Sequence, residues 1–400
     1  MTGDTATRAR GLRTPRSGLL LAGVLLIAAN LRAGITSVGP VVEDIRADLS
    51  IGGAAASLLI SLPLVAFAVV SPLAPALARR IGIERSLGAA LALLAAATVV
   101  RSLPSTVALW AGTAVLGTAV AVINVVLPSL VKRDHPGRVG QVTGLYSSVQ
   151  GAAAALASGL AVPLAGTAQH GWRLALGIWA GLALVALAVF LPQLRRRSVP
   201  PGPGSPGAPV VHRSPWRTAL GWQVTVFMGA QSTIYFTLIA WWPSVEQAEG
   251  VPAAAAGWHL FAMQVAGLLA NLVTARLIPR RADQRLLILA ATGLFAVAVV
   301  GQLAAPGASL LWIVLAGAAG GSCIVLALSL FGLRTRDHHQ AAALSGMAQS
   351  VGYAMAAAGP FLLGALHDAT GSWTAPLVVL LGVLVVQAAA GVQAGRARVL

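Results

Sequence analysis

The stretch RRRSVPPGPGSPGAPVVHRSPWR, residues 195–217, decides how the rest of the chain is read. It is the one long polar interruption in an otherwise apolar sequence, it falls almost at the middle of 400 residues, and its proline, glycine and arginine content is that of a linker. Apolar runs of spanning length, separated by short charged or Pro/Gly loops, precede it at 18–42, 53–78, 84–103, 106–131, 139–166 and 172–193. Six more follow at 218–244, 254–278, 285–304, 308–333, 341–366 and 374–395. The expectation is an all-α membrane protein of twelve transmembrane helices. Its parts are an N-terminal segment (1–17), a six-helix bundle (18–194), the linker (195–217), a second six-helix bundle (218–395) and a short tail (396–400).

Composition points the same way. With 57% hydrophobic residues, 10% charged residues and a mean hydropathy of +0.82, the chain lies outside the range of soluble domains. A net charge of +16 would suit nucleic acid on a polar fold, but there is almost no polar fold to carry it. With the N-terminus in the cytoplasm, 23 of the 27 Lys and Arg fall on cytoplasmic segments and Arg46, Arg101 and Arg173 on external loops. The charge is therefore a positive-inside signature, which places both termini of a multi-pass cell-membrane protein in the cytoplasm and gives no role to nucleic acid. Arg8, Arg10, Arg13 and Arg16 ahead of Leu19 look like the start of a signal peptide, but the apolar run continues to about Val42 and is long enough to span.

One cation remains unexplained by topology. Arg32, in LLIAANLRAGITSVGP (25–40), lies roughly 20 Å into the first span at about 1.5 Å per residue. A guanidinium at that depth costs roughly 2.5–3.5 kcal/mol on insertion scales. No Asp or Glu falls at mid-depth in any of the twelve runs, so a neutralising partner is missing from the sequence. Packing against carbonyls, Asn30, Asn124 or cavity water is one reading. The stronger one is a binding group for a small anion or a planar acceptor, because five fixed N–H donors suit such ligands. A single cysteine, Cys323, leaves no disulfide framework or metal-ligand spacing, and no P-loop, catalytic triad or H-E-x-x-H is present. No cofactor, ATP-driven pump or enzyme is expected.

The halves also repeat at an offset of about 203 residues. PVVEDI from Pro40 sits over PSVEQA from Pro243, RDHPGRVGQVTGLYSSV from Arg133 over RDHHQAAALSGMAQSV from Arg336, and HGW ending at Trp172 over GSW ending at Trp373. LARRIGIERS (77–86) has the look of a degenerate cytoplasmic gate loop, with IPRRADQR after the eighth run as a looser counterpart. Two parallel six-helix repeats joined by a linker resemble the major facilitator superfamily. More narrowly, NLRAGITSVGP from Asn30 and INVVLPSLVKRDHPGRVGQVTGLYSS from Ile123 resemble the cyanate and 2-nitroimidazole transporter family, with Ala33 where many members have proline.

The resemblance implies alternating access around a cavity lined by the first, fourth, seventh and tenth helices, and carries Asn30, Arg32 and Asn124 over as cavity residues. Thr36 on the first helix and Gln231 and Tyr235 on the seventh join them as substrate-binding candidates. Tyr146, Gln150, Gln349 and Tyr353 sit on matched polar stretches of the fifth and eleventh helices, where close small-residue packing is the competing reading. His259 is a further candidate, since histidine titrates near neutrality; a proton is the coupling ion it would serve. The expected activity is secondary transport of a small anionic or polar solute, cyanate-like or a nitro-heterocycle, by a monomer in the lipid bilayer. Broad drug efflux and a receptor that binds without translocating are the alternatives.

Overall fold

In a bilayer every backbone N–H and C=O needs an internal partner, so apolar runs of this length settle as helices. In the computed structural model, which describes residues 15–51, 53–195 and 214–400, every regular element is helical. The first fourteen residues of the expected N-terminal segment and residues 196–213 of the linker lie outside the described residues.

The first half contains α1 (Pro15–Thr36), α2 (Val42–Leu49), α3 (Gly53–Val70), α4 (Ala74–Ile81), α5 (Ile83–Arg101), α6 (Thr106–Asp134), α7 (Val139–Ala165), α8 (Trp172–Gly177) and α9 (Trp179–Phe190). The second contains α10 (Ala219–Ala248), α11 (Ala253–Leu277), α12 (Arg285–Ala304), α13 (Ser309–Leu333), α14 (His338–Thr370) and α15 (Thr374–Ala394). Taking α3 with α4 and α8 with α9 as single crossings, and α2 as a short helix outside them, these make twelve spans among the described residues.

Three spans differ from a straight apolar rod. The second bends by 60° between Leu58–Val70 and Ala74–Ile81, where Pro75 opens α4 without an N–H to continue α3. The sixth is interrupted at Ile178. The eleventh, α14, has 33 residues but is not among the helices apolar enough to be recognised by hydropathy. Its Gln340, Ser345 and Gln349 are buried against protein, so the polar residues that dilute its hydropathy do not meet lipid.

Both halves use one pairing scheme. α1 packs on α7 and α9, α6 on α3 and α5; in the same way α10 packs on α14 and α15, and α13 on α11 and α12. The duplicated sequence segments thus mark duplicated bundles. We call the face where α9 ends and α10 begins the linker face.

The halves meet toward that face. Gln349 Nε2 donates to the Asn124 carbonyl at 2.9 Å, and Ser350 Oγ to the Ala68 carbonyl at 2.7 Å. Ser148 Oγ donates to Asn271 Oδ1 at 3.2 Å, while Asn271 Nδ2 donates to Ser147 Oγ at 3.0 Å. Two glycines allow this approach: a Cβ on Gly144 would lie 1.9 Å from Ala275 Cβ, and one on Gly346 would lie 2.9 Å from the Ser71 carbonyl oxygen. Each hydrogen bond that joins the halves among the described residues lies between Arg32 and the linker face, so the bundles are closed there, and no hydrogen bond among the described residues joins them toward the opposite face.

Candidate substrate site

Arg32 lies on α1 where the closed part of the interface ends. Its side chain is half-buried, and it donates no hydrogen bond to any described residue. The guanidinium carbon lies 5.8 Å from the centroid of Phe236, on α10 of the other half. A contact of this kind is worth roughly 0.5–2 kcal/mol, too little to offset burial of the charge. The site therefore leaves its donors available.

An aromatic and hydroxyl frame surrounds the cation. Tyr235, edge-on to Phe236 at 6.0 Å, donates its hydroxyl to Gln264 Oε1 on α11 at 2.6 Å. Tyr353 on α14 packs at 5.1 Å against Phe67 of α3. Both tyrosine hydroxyls lie within electrostatic reach of Arg32, and Tyr146 on α7 within reach of Tyr353. Arg32, Phe67 and Tyr146 come from the first half, and Tyr235, Phe236, Gln264 and Tyr353 from the second. A ligand held among them would touch both halves.

The remaining candidates divide. The Asn124 side chain is half-buried with no hydrogen-bond partner among the described residues, and its own carbonyl takes the Gln349 bond described above. Gln349 keeps a buried Oε1 without a partner, and Gln150 is half-buried on α7. Three others are engaged inside their own half. Asn30 donates to the Leu26 and Leu182 carbonyls and ties α1 to α9; Thr36 donates to the Arg32 and Ala154 carbonyls and ties α1 to α7. Gln231 is buried and turned back on its own helix, donating to Ser232 Oγ at 2.6 Å and to the Met228 carbonyl at 3.2 Å. These three have their donors satisfied by groups of their own half.

One charge assignment and one helix boundary need correction. Arg101 is not on an external loop: it is 1% exposed, with Nη1 donating to the Gly34 carbonyl at 2.6 Å and Nη2 to the Leu176 carbonyl at 3.3 Å. It closes α5 inside the bundle and fixes the end of α1 two residues past Arg32. Glu246 is likewise not in a loop, because α10 runs on to Ala248 and buries it completely, with His259 Nδ1 at 2.8 Å. Length counting from the apolar run ended that helix at 244, before the buried acid.

The sequence profile of the Major Facilitator Superfamily matches residues 24–360. The chain belongs to the major facilitator superfamily. Within the superfamily it is 44% identical over 381 residues to the Uncharacterized transporter YycB of Bacillus subtilis (strain 168), covering 95% of this chain and 94% of the relative. Identity to the 2-nitroimidazole transporter of Escherichia coli (strain K12) is 43% over 378 residues, covering 94% and 95%. The Cyanate transport protein CynX of Escherichia coli (strain K12) is more distant, at 28% over 382 residues and 92% and 96% coverage. Among solved structures, a variant of the Escherichia coli fucose:proton symporter FucP shares the fold with a TM-score of 0.73 at 12% identity, covering 95% of this chain and 98% of that one. This member of the superfamily is thus a multi-pass membrane transport protein, not an enzyme, and resembles the cyanate and 2-nitroimidazole type as its first- and fourth-helix signatures indicate.

Phe67, Phe236 and Gln264 join the site without having been candidates from the sequence. Phe236 follows Tyr235, a candidate already, and is half-buried facing Arg32. Gln264 is a polar residue inside the eighth apolar run, and that signal was available; the eighth helix is not one of the four expected to line the cavity.

Proposed function

We propose that this transporter moves a small solute with a planar acceptor group, a nitro-heterocycle or a small linear anion, by alternating access, with Arg32 as the docking group. The observation that carries the proposal is a guanidinium at the junction of the two bundles with no hydrogen-bond partner among the described residues. Charge-assisted, bidentate bonds from Arg to an acceptor pair are short and strong, and in a half-buried site they are screened less than in water. Phe236, Tyr235 and Tyr353 supply faces and edges against which a flat ring would stack. The 2-nitroimidazole transporter is the nearer of the two substrate-named relatives described above, and a flat ring with a nitro acceptor suits this frame better than a linear ion, which has no ring to stack.

With the linker face and both termini in the cytoplasm, the orientation given by the positive-inside rule, the present conformation is open to the outside. The division into bundles at 18–194 and 218–395 defines the two bodies that rock. Solute on Arg32 would draw Tyr235 and Gln264 of the second bundle toward the first, closing the outer cleft while the linker-face contacts part. One chain supplies the whole site, so a monomer suffices.

The test is uptake of 2-nitroimidazole and of cyanate into proteoliposomes by the native protein and by Arg32→Gln. Loss of flux with normal reconstitution supports the proposal. Flux retained in the variant contradicts it.

A further inference from the structure

The face opposite the linker holds a buried acid that the substrate site does not use. Glu246 near the end of α10 is 0% exposed. Its Oε1 accepts from Ser309 Oγ at 2.5 Å and lies 2.8 Å from His259 Nδ1, while Ser309 Oγ accepts from Trp242 Nε1 at 3.2 Å. Its Oε2 is buried without a partner. His259 is 20% exposed and is the one member of this cluster that is not buried. The helices packed here contribute few other ionisable groups: Glu249 follows as the residue capping the C-terminus of α10, α11 brings His259, and α13 presents Ser309 as its first residue. Among the described residues no Lys or Arg pairs with Glu246.

A carboxylate with one oxygen saturated and the other orphaned in an apolar interior is costly to keep charged. The imidazole lowers that cost by sharing a proton with Oε1, in either direction, at no net charge. A further proton has a place to go, because Oε2 has nothing competing for it. The pair can therefore take up one proton without displacing any group from Oε2.

Its position connects it to the rest of the transporter. α10 carries Tyr235 and Phe236 and, about three turns on, Glu246. α11 carries His259, then Gln264, which accepts from Tyr235, then Asn271, which bonds Ser147 and Ser148 of the other half. Two clamps, Glu246–His259 and Tyr235–Gln264, thus hold the same two helices, and the second of those helices ends in the linker-face contact. We propose that Glu246 and His259 form a proton-binding site, loaded from the open face through His259, whose occupancy sets how tightly α10 holds α11. This rests on the transport reading above and identifies the coupling ion for it. The proton comes from water on the open face, resides on Glu246 Oε2 and returns to water after the bundles reorient. While the pair is ionised it holds α11 in place; once Glu246 is protonated that clamp weakens, and Gln264 and Asn271 are free to shift with the helix.

The site can be tested without a substrate. Infrared difference spectra of the native protein in lipid vesicles, taken between alkaline and acidic buffer, should show a buried carboxylic-acid band that is lost in Glu246→Gln and shifted in Ser309→Ala, which removes only a donor. A second arm measures 2-nitroimidazole uptake with and without an imposed pH gradient: the stimulation seen in the native protein should fall to none in Glu246→Gln and in His259→Gln. A carboxyl band that survives in Glu246→Gln, or stimulation that persists there, overturns the proposal. A Glu246-dependent band in a protein that moves no 2-nitroimidazole supports the proton site and refutes that substrate.

Discussion

Replacing Gly144 with alanine should drive the transporter out of the conformation described here. The added methyl would lie 1.9 Å from Ala275 Cβ and 3.2 Å from its Cα. Carbon atoms rest at about 3.5–4.0 Å, so α7 and α11 must separate by roughly 1.5–2 Å at this point. Neither group can rotate away, because one is a methyl and the other backbone. Overpacking of this size costs roughly 1–3 kcal/mol, and at tenfold per 1.4 kcal/mol it lowers the linker-face-closed population about five- to 150-fold. The bundle itself should not suffer, since alanine is better than glycine inside a helix by about 1 kcal/mol. The cost then falls on one conformation only. Spin labels on cysteines at Arg138 and Arg281, one on each half at the linker face, would report it; the lone native cysteine, Cys323, is buried. Pulsed electron paramagnetic resonance should show the linker-face distance lengthen and a Thr167–Ala369 pair on the opposite face shorten. An unchanged pair of distributions in a folded Gly144→Ala protein would refute the reasoning.

Two further perturbations probe other parts of the molecule. Arg101→Met leaves the Gly34 and Leu176 carbonyls without their donor, and at roughly 1–3 kcal/mol for an unsatisfied buried group the unfolding midpoint should fall; an unchanged midpoint would show that Arg101 does not hold the end of α1. At the linker face, burial, with the charges of His339 and Arg133 adding to it and those of Asp337 and Glu84 opposing it, pushes His338 down to about 4. The closed linker face therefore keeps its full contribution from neutral His338 above about pH 6.5, and loses it as acidification proceeds toward about 4. His338→Lys keeps a positive charge there through neutral pH and should lengthen the Arg138–Arg281 distance, at a cost of about 1 kcal/mol, whereas His338→Gln should remove the acid response.

The architecture was legible because membrane spans are a matter of length and hydropathy, and because duplication left matching words such as RDH at Arg133 and Arg336. The eleventh span was read as an apolar run at 341–366, although its hydropathy is diluted by Gln340, Ser345 and Gln349, which are buried against protein. What could not be read were contacts set by tertiary packing. Arg101 looks like a loop cation because it stands two residues before the end of its run at 103; only the close approach of α1 and α8 shows two carbonyls waiting for it. Glu246 was lost for the same reason, since hydropathy ends a helix at its first charge, while here the chain carries the acid inward to meet Ser309 and His259. At the site, Arg32 stood out because it lacked a topological reason, whereas Asn30 and Gln231 have the right chemistry at the right depth and point into their own bundle or helix. Orientation around a helix separates such residues, and an apolar span with little amphipathic pattern does not encode it.

Whether Arg32 docks a solute with a planar acceptor is tested most directly by calorimetric titration of the purified protein with 2-nitroimidazole. The comparison is between the native form and Arg32→Gln, with imidazole lacking the nitro group as the control. Binding to the native protein is expected, with a loss of at least about tenfold in affinity (about 1.4 kcal/mol) for the variant and a similar loss for the ring without its nitro acceptor. Equal affinity of the native and Arg32→Gln proteins for 2-nitroimidazole would contradict a docking role for Arg32.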